Sequence, residues 1–260
     1  MELWMKNQFE PPYNFIFNGN IQEYDISKAN INILKAYGAI SDQEYKDLYI
    51  SEKQIREKIV GEMERDNKEL IKIIQGGIIE AKHQLFITNA IDNSEVVRIA
   101  NDSVYVNRQL PLQNNKINVN GYQIEFALKN IFTSMVRIGK VLIFINTGGN
   151  DGGYIVDIKG IAKEKHMYHM KFAGIICNFI EMIERSPKED VLRMYHDFYS
   201  SYINRLLPIE YYREFKATSC YRIKGGNIGA EFLDEQYKDK LDIQYNLYCL
   251  RELYKIIMSY

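Results

Sequence analysis

The stretch that decides the fold is residues 97–106, VRIANDSVYV. Its β-branched and aromatic residues flank Asn101 and Asp102, so the run reads as a hairpin with Asp102 at or near the tip. Asp92, Asn93 and Ser94 form the turn that leads into it. Residues 24–30, YDISKAN, repeat the design, with one aspartate beside an apolar run and a serine and an asparagine close by. There IQEYDI reads as a strand with Asp25 at its end, leading into a helix through Ser27.

Working outward, YNFIFNGN (13–20) reads as a short strand ending in an Asn-Gly turn. Residues 42–90 carry helical signals. Ser41 and Asp42 serve as N-caps, followed by DQEYKDLYI, SEKQIREKIVGEMERDNKELIKII and, after Gly76 and Gly77, IIEAKHQLFITNAI. That predicts two or three helices between the aspartates. Downstream, SMVRIGKVLIFIN (134–146) and YIVDIKGIA (154–162) read as a strand pair around the glycine-rich turn TGGNDGG. From about residue 164 the pattern is mainly helical, interrupted by the strand-like TSCYRIK (218–224), and a soft boundary falls near 165. The fold class is α+β.

With 260 residues, 46% of them hydrophobic, the chain can bury a core as one large domain or two small ones. A formal net charge of -1 supplies no global basic field, so any nucleic-acid contact must come from local lysine and arginine clusters. Cys177, Cys220 and Cys249, without CxxC spacing, are expected to be reduced and buried rather than a disulfide frame or a zinc site. The N-terminus, MELWMKNQFEPPYNF, has no long apolar core, so neither a signal peptide nor a membrane anchor is expected, and the chain should stay in the compartment where it is made. A bias toward Asn, Ile, Lys and Tyr suggests an AT-rich genome.

A strand ending in Asp25, then helices, then a hairpin carrying Asp102 would bring two carboxylates together on an antiparallel sheet. Two hard oxygen ligands suit Mg²⁺, or Mn²⁺, which completes its shell with water and substrate phosphates. Two such ions can clamp the attacking and leaving oxygens of phosphoryl transfer. The plainer reading is that an aspartate at a strand end is a turn or capping residue.

YDISKANINIL resembles motif A of the family B DNA polymerase palm, and VRIANDSVYV resembles motif C, whose second half is matched by Asp102, Ser103, Val104, Tyr105 and Val106. The order also agrees, because KELIKIIQGGIIEAKHQLFI precedes motif C as the corresponding helix does in that family. SMVRIGKVLIFI and GGYIVDIKGIAK resemble its primer-contacting strand pair. The resemblance implies a palm-like domain over residues 1–165 with a short helical finger at about 41–75, and a thumb-like helical region over 166–260. It also implies template-directed nucleotidyl transfer, by a small DNA polymerase or primase-like enzyme, on a primer-template with nucleoside triphosphates. Asp25 and Asp102 would be catalytic and metal-binding. Ile26, Ser27, Asn30, Lys53 and Arg56 would hold the nucleotide, and Lys140, Lys159, Lys163 and Lys165 the nucleic acid. The setting would be a phage or other mobile element in a bacterial cytoplasm, with other replication or transcription subunits as partners.

The chain departs from the pattern in four places. Ala100 and Asn101 replace the first acid and the threonine of motif C. Asn30 stands where the family's sugar-excluding tyrosine would be, which predicts tolerance of ribonucleotides. The fingers motif is absent, and the aspartates lie only 77 positions apart. No exonuclease fits in the 24 residues ahead of Asp25, so proofreading is not expected. DISKAN and VRIAND also resemble reverse transcriptase motifs, but that alignment sets Asn101 on a metal-binding position, and family B is preferred. The alternative function is a catalytically inactive palm that binds nucleic acid or scaffolds a phage replication or transcription complex.

Other constellations are weaker. A solvated helix face is the plain reading of Lys53, Arg56, Lys58, Arg65, Lys68 and Lys72. His166 and His169 have the spacing of a metal pair without a third ligand. In KGIAKEKHMYHMK, lysines interleave with histidine and Tyr168 in a pattern suited to a nucleic-acid backbone. Tyr211, Tyr212, Arg213 and Lys216 are secondary candidates for such contacts.

Overall fold

The computed structural model describes residues 2–139, 141–146, 155–159, 166–213, 220–224, 226–229 and 235–260. Twelve strands and seven α-helices lie among the described residues. They divide into two compact units, Met1–Pro12 with Asn20–Ile131, and Tyr13–Gly19 with Phe132–Tyr260.

The first unit contains β1 (Gln8–Phe9), β3 (Ile21–Ile26), α1 (Ala29–Ala36), α2 (Asp42–Ile50), α3 (Lys53–Asp66), α4 (Lys68–Asn89), β4 (Val96–Ala100), β5 (Ser103–Val106) and β6 (Lys116–Val119), with nearly all of β7 (Tyr122–Phe132). Its sheet runs β1-β4-β5-β3-β7-β6, and the pairs β1–β4, β4–β5, β5–β3 and β6–β7 are antiparallel. The 97–106 hairpin is present as expected, turning at Asn101 and Asp102 with Ala100 opposite Ser103. The α2 helix starts in a capping box, Ser41 accepting from the Glu44 amide while the Glu44 carboxylate takes the Ser41 amide. In α4 the buried positions Leu70, Ile74, Gly77, Ile78, Ala81 and Leu85 recur at helical spacing, which lays one apolar stripe on α1, α3 and β6.

Gly76 and Gly77 lie inside α4 instead of breaking it. Gly77 sits where α4 meets α1, and a Cβ there would collide with Ile33 and come within 3.0 Å of Tyr37. The glycine is kept for close approach, not for a turn.

The second unit contains β2 (Phe15–Ile16), β8 (Ser134–Ile138), β9 (Val141–Asn146), β10 (Ile155–Lys159), α5 (His166–Arg185), α6 (Lys188–Ile203), β11 (Cys220–Ile223), β12 (Gly226–Gly229) and α7 (Gln244–Ser259). Its antiparallel sheet runs β10-β9-β8-β2, and β11 and β12 form a separate hairpin. The core joins Val136, Ile143 and Ile145 of the sheet to Phe172, Phe179 and Leu253 of the helices. Cys177 and Cys249 are buried free thiols.

YNFIFNGN supplies β2, which pairs with β8, and IQEYDI supplies β3, which pairs with β5. Two sequence readings change. SMVRIGKVLIFIN is itself a hairpin, turned where Gly139 has φ +65°. The division falls at 131/132 instead of near 165, because β8, β9 and β10 close over α5 and α7 in one hydrophobic core. TGGNDGG lies outside the described residues.

Candidate functional site

The register of β3 against β5 sets Asp25 opposite Ser103, directly after the Asn101–Asp102 turn. Asn101 takes the left-handed conformation, φ +52°, which asparagine tolerates better than most residues, and its amide donates to Asn7 O at 2.7 Å. The Ile26 amide donates to Asp102 O at 3.2 Å, which closes the turn onto β3. The two carboxyl groups that stand 77 positions apart in sequence thereby come within hydrogen-bonding reach of each other.

Their partners are specific. Ser103 Oγ donates to Asp25 Oδ1 at 3.0 Å, and Lys129 Nζ, from β7, donates to Asp25 Oδ2. Burial first, and then the charge of Asp25, pushes the Asp102 carboxyl up to about 6. Burial lowers the Lys129 ammonium, but the hydrogen bond and charge of Asp25, with the charges of Glu23 and Asp102, together push it up on balance. Behind the turn, Lys82 on α4 is fully buried, donates to Lys6 O at 2.5 Å, and falls to about 8 through burial, opposed by the charge of Asp102. Glu23, also buried on β3, accepts from Tyr105 Oη and Asn130 Nδ2, each at 2.6 Å.

A pocket of about 370 Å³ opens in front of the carboxylates, and its charged lining is Asp25, Asp102 and Glu57 against Lys28, Lys53, Arg56 and Lys129. Ile26, Ser27 and Asn30 also line it, so the sequence-derived nucleotide residues meet the aspartates in one cavity. Lys53 lies 3.6 Å from Glu57, and Arg56 donates to Ser51 O at 3.1 Å. Lys28 has φ +48° and is anchored to the end of α2, its Nζ donating to Tyr49 O at 2.7 Å and sitting 3.2 Å from the centre of the Tyr49 ring. A chain of hydrogen bonds from Tyr122 through Tyr45 and Asn32 to Ser27 O fixes the start of α1 beside the pocket.

The Ile26 and Ser27 amides are already committed, to Asp102 O at 3.2 Å and to Glu125 O at 3.0 Å. Amides open to an anion are those of the first turn of α1, which have no acceptor inside the helix.

Lys28, Lys129 and Ser103 were not picked out by the sequence reading, although Ser103 lies inside the quoted hairpin. Lys159, on β10, pairs with Asp157 at 2.6 Å in the second unit. Lys140, Lys163 and Lys165 lie outside the described residues, as do Lys216 and the side chains of His166 and His169. Arg65 and Lys72 pair with Asp66 and Glu69. Tyr212 is buried and donates to Tyr202 O at 3.2 Å, which makes it a core residue.

Among the described residues no three His, Cys, Asp or Glu side chains gather as a metal cluster. Asp25 and Asp102 are the residues that could hold a hard divalent cation. The fit rests on two adjacent oxygen donors, one pushed toward protonation by burial and then by the charge of the other, a repulsion that a cation between them would offset.

A family profile described as Bacteriophage PBS1 gene 130 protein matches residues 2–259. No curated protein matches the sequence. Among solved structures, the family B DNA polymerase from the hyperthermophilic archaeon Pyrobaculum calidifontis aligns with a TM-score of 0.42 at 11% identity, over 96% of this chain and 47% of that one. This chain therefore spans less than half of that polymerase's length. No described helix is long and apolar enough to cross a membrane.

Proposed function

We infer, for a chain that belongs to the family of the bacteriophage PBS1 gene 130 protein, a template-directed nucleotidyltransferase that extends a nucleic-acid strand. The observation that supports this reading is the meeting of Asp25 and Asp102 in a pocket whose other charged groups are four cations and one acid. The carboxylates would hold Mg²⁺ or Mn²⁺, which supplies Lewis acidity at phosphoryl oxygens. Lys53, Arg56, Lys28 and the first-turn amides of α1 would take the triphosphate through charge-assisted hydrogen bonds. Asn30 would stand beside the sugar. Lys159 would exchange Asp157 for a strand phosphate, and Lys140, Lys163 and Lys165 are assigned to the same strand from the sequence resemblance. The protein's contribution would be positioning and electrostatics.

The test is primer extension on a short templated duplex with Mg²⁺ or Mn²⁺, offering deoxy- and ribonucleotides separately, with Asp102→Asn as control. Extension that vanishes in the control supports the assignment, and use of both sugars supports the role given to Asn30. Silence with every nucleotide, from a folded protein that still binds nucleic acid, overturns it.

One observation favours a second reading, a non-catalytic nucleic-acid-binding or scaffolding subunit of a phage replication or transcription complex. Lys129 already neutralises Asp25 from within the chain. On that reading Mg²⁺ titrated into the protein gives no binding heat, and Lys129→Met creates a cation site that the parent lacks. On the catalytic reading the parent binds Mg²⁺ and Lys129→Met lowers the extension rate.

A further inference from the structure

Far along the sequence from Asp25 and Asp102, α6 and α7 of the second unit enclose a cleft of about 350 Å³ lined by Tyr195, His196, Tyr199, Arg251, Tyr254 and Lys255. Every lining residue is aromatic or cationic; none is aliphatic and none is an acid. The rings form one cluster around Tyr195. Tyr199 stacks on it at 5.9 Å and 21°, Tyr254 tilts against it at 5.2 Å, and His196 meets it edge-on at 5.8 Å. Tyr195 is buried and donates to Leu250 O at 2.9 Å, so the platform is tied to α7. Tyr254 and His196 are exposed and lie 6.2 Å apart, centroid to centroid.

We propose that this cleft is a stacking site for single-stranded nucleic acid, with bases on Tyr199, Tyr254 and His196 and phosphates on Arg251 and Lys255. Open ring faces accept any unpaired base, whereas the base faces inside a duplex are already covered by their neighbours. The cations complement the strand's charge. Arg251 makes no ion pair among the described residues, and Lys255, with 71% of its side chain exposed, would exchange Glu252, now 2.7 Å away, for a phosphate. A lipid surface would need exposed aliphatic side chains, which the cleft lacks. The site does not depend on the chemistry inferred for Asp25 and Asp102, because it recognises the strand and not the reacting phosphate.

The experiment uses the full chain carrying Asp102→Asn, so that no turnover intrudes and a failure of the catalytic reading leaves the outcome intact. Fluorescence anisotropy compares a labelled oligothymidine, an abasic strand of the same length and a duplex. The expected result is a preference for the base-bearing strand, which Tyr254→Leu weakens by roughly tenfold while leaving the abasic strand unaffected. Arg251→Gln weakens both strands and reduces the salt slope by about one. A 5-iodouridine strand, irradiated on the protein without cleft substitutions, is expected to attach to Tyr199, Tyr254 or His196. Circular dichroism checks that each variant is folded, and the crosslink needs no variant in the cleft. Equal affinity for base-bearing and abasic strands overturns the proposal, and so do crosslinks confined to residues 20–131.

Discussion

Asp102 and Asp25 are neighbours that repel, and the consequence can be read as a dependence on pH. The Asp102 carboxyl titrates at about 6 in the folded chain, because of burial and then the charge of Asp25, against roughly 3.9 when unfolded. The folded form therefore holds a proton that the unfolded chain has already released. That contribution is fully present below about pH 4 and is lost as pH rises through 6. Asp102→Asn keeps the shape and removes the charge, so it should unfold at higher urea than the parent at pH 7, by on the order of 1 kcal/mol after discounting for solvent screening. The gap should close by about pH 4. A parent as stable as the variant at both pH values would mean that the carboxylates do not share one site. Ser103 and Lys129 show how much of this was legible. The two aspartates stood out because each is a lone acid beside an apolar strand, whereas Lys129 is one lysine among many, and only the pairing of strands brings it to Asp25.

At the scale of elements, the hairpin of β4 and β5 and the helices α2, α3 and α4 were legible because alternation, caps and helical spacing are local signals. The β6–β7 hairpin went unread, although its Asn120–Gly121 turn has both residues at positive φ, 52° and 81°, as a type I′ turn requires. With it went the strand that carries Lys129. The glycine pair sits inside α4, where burial of the apolar stripe outweighs the low helical propensity of glycine. The two glycines should therefore answer oppositely to alanine. Gly76 is exposed with nothing within 4 Å of an added Cβ, so Gly76→Ala should stabilise by about 0.5–1 kcal/mol. At Gly77 the methyl would press on Ile33 and Tyr37 of the α1 region, next to the pocket, so Gly77→Ala should lose roughly 1–2 kcal/mol net. Thermal melts of the two variants beside the parent measure both, and a stabilising Gly77→Ala would mean that α4 does not pack so closely on α1.

Across the whole molecule, chemistry is distributed by unit: the paired carboxylates and their cations belong to residues 20–131, and the aromatic cleft to residues 195–255. Sequence order hid this division, because residues 13–19 lie between two parts of the first unit and yet supply β2 to the sheet of the second. A local pattern can announce a strand but not the sheet it will join, which depends on long-range pairing such as Phe15 with Val136. The division predicts separate footprints in hydrogen exchange. Mg²⁺ should slow exchange around 21–30 and 100–106, since a cation held between Asp25 and Asp102 would stabilise the turn that carries them, and only conformations with both carboxylates in place would gain from it. It should do so less below pH 6, where Asp102 must first lose its proton. A short oligothymidine should slow exchange around 195–199 and 251–255 without needing Mg²⁺. Protection of one region by both ligands would instead assign metal and strand to a single site, and protection by Mg²⁺ that survives Asp25→Asn would remove the carboxylate pair as its cause.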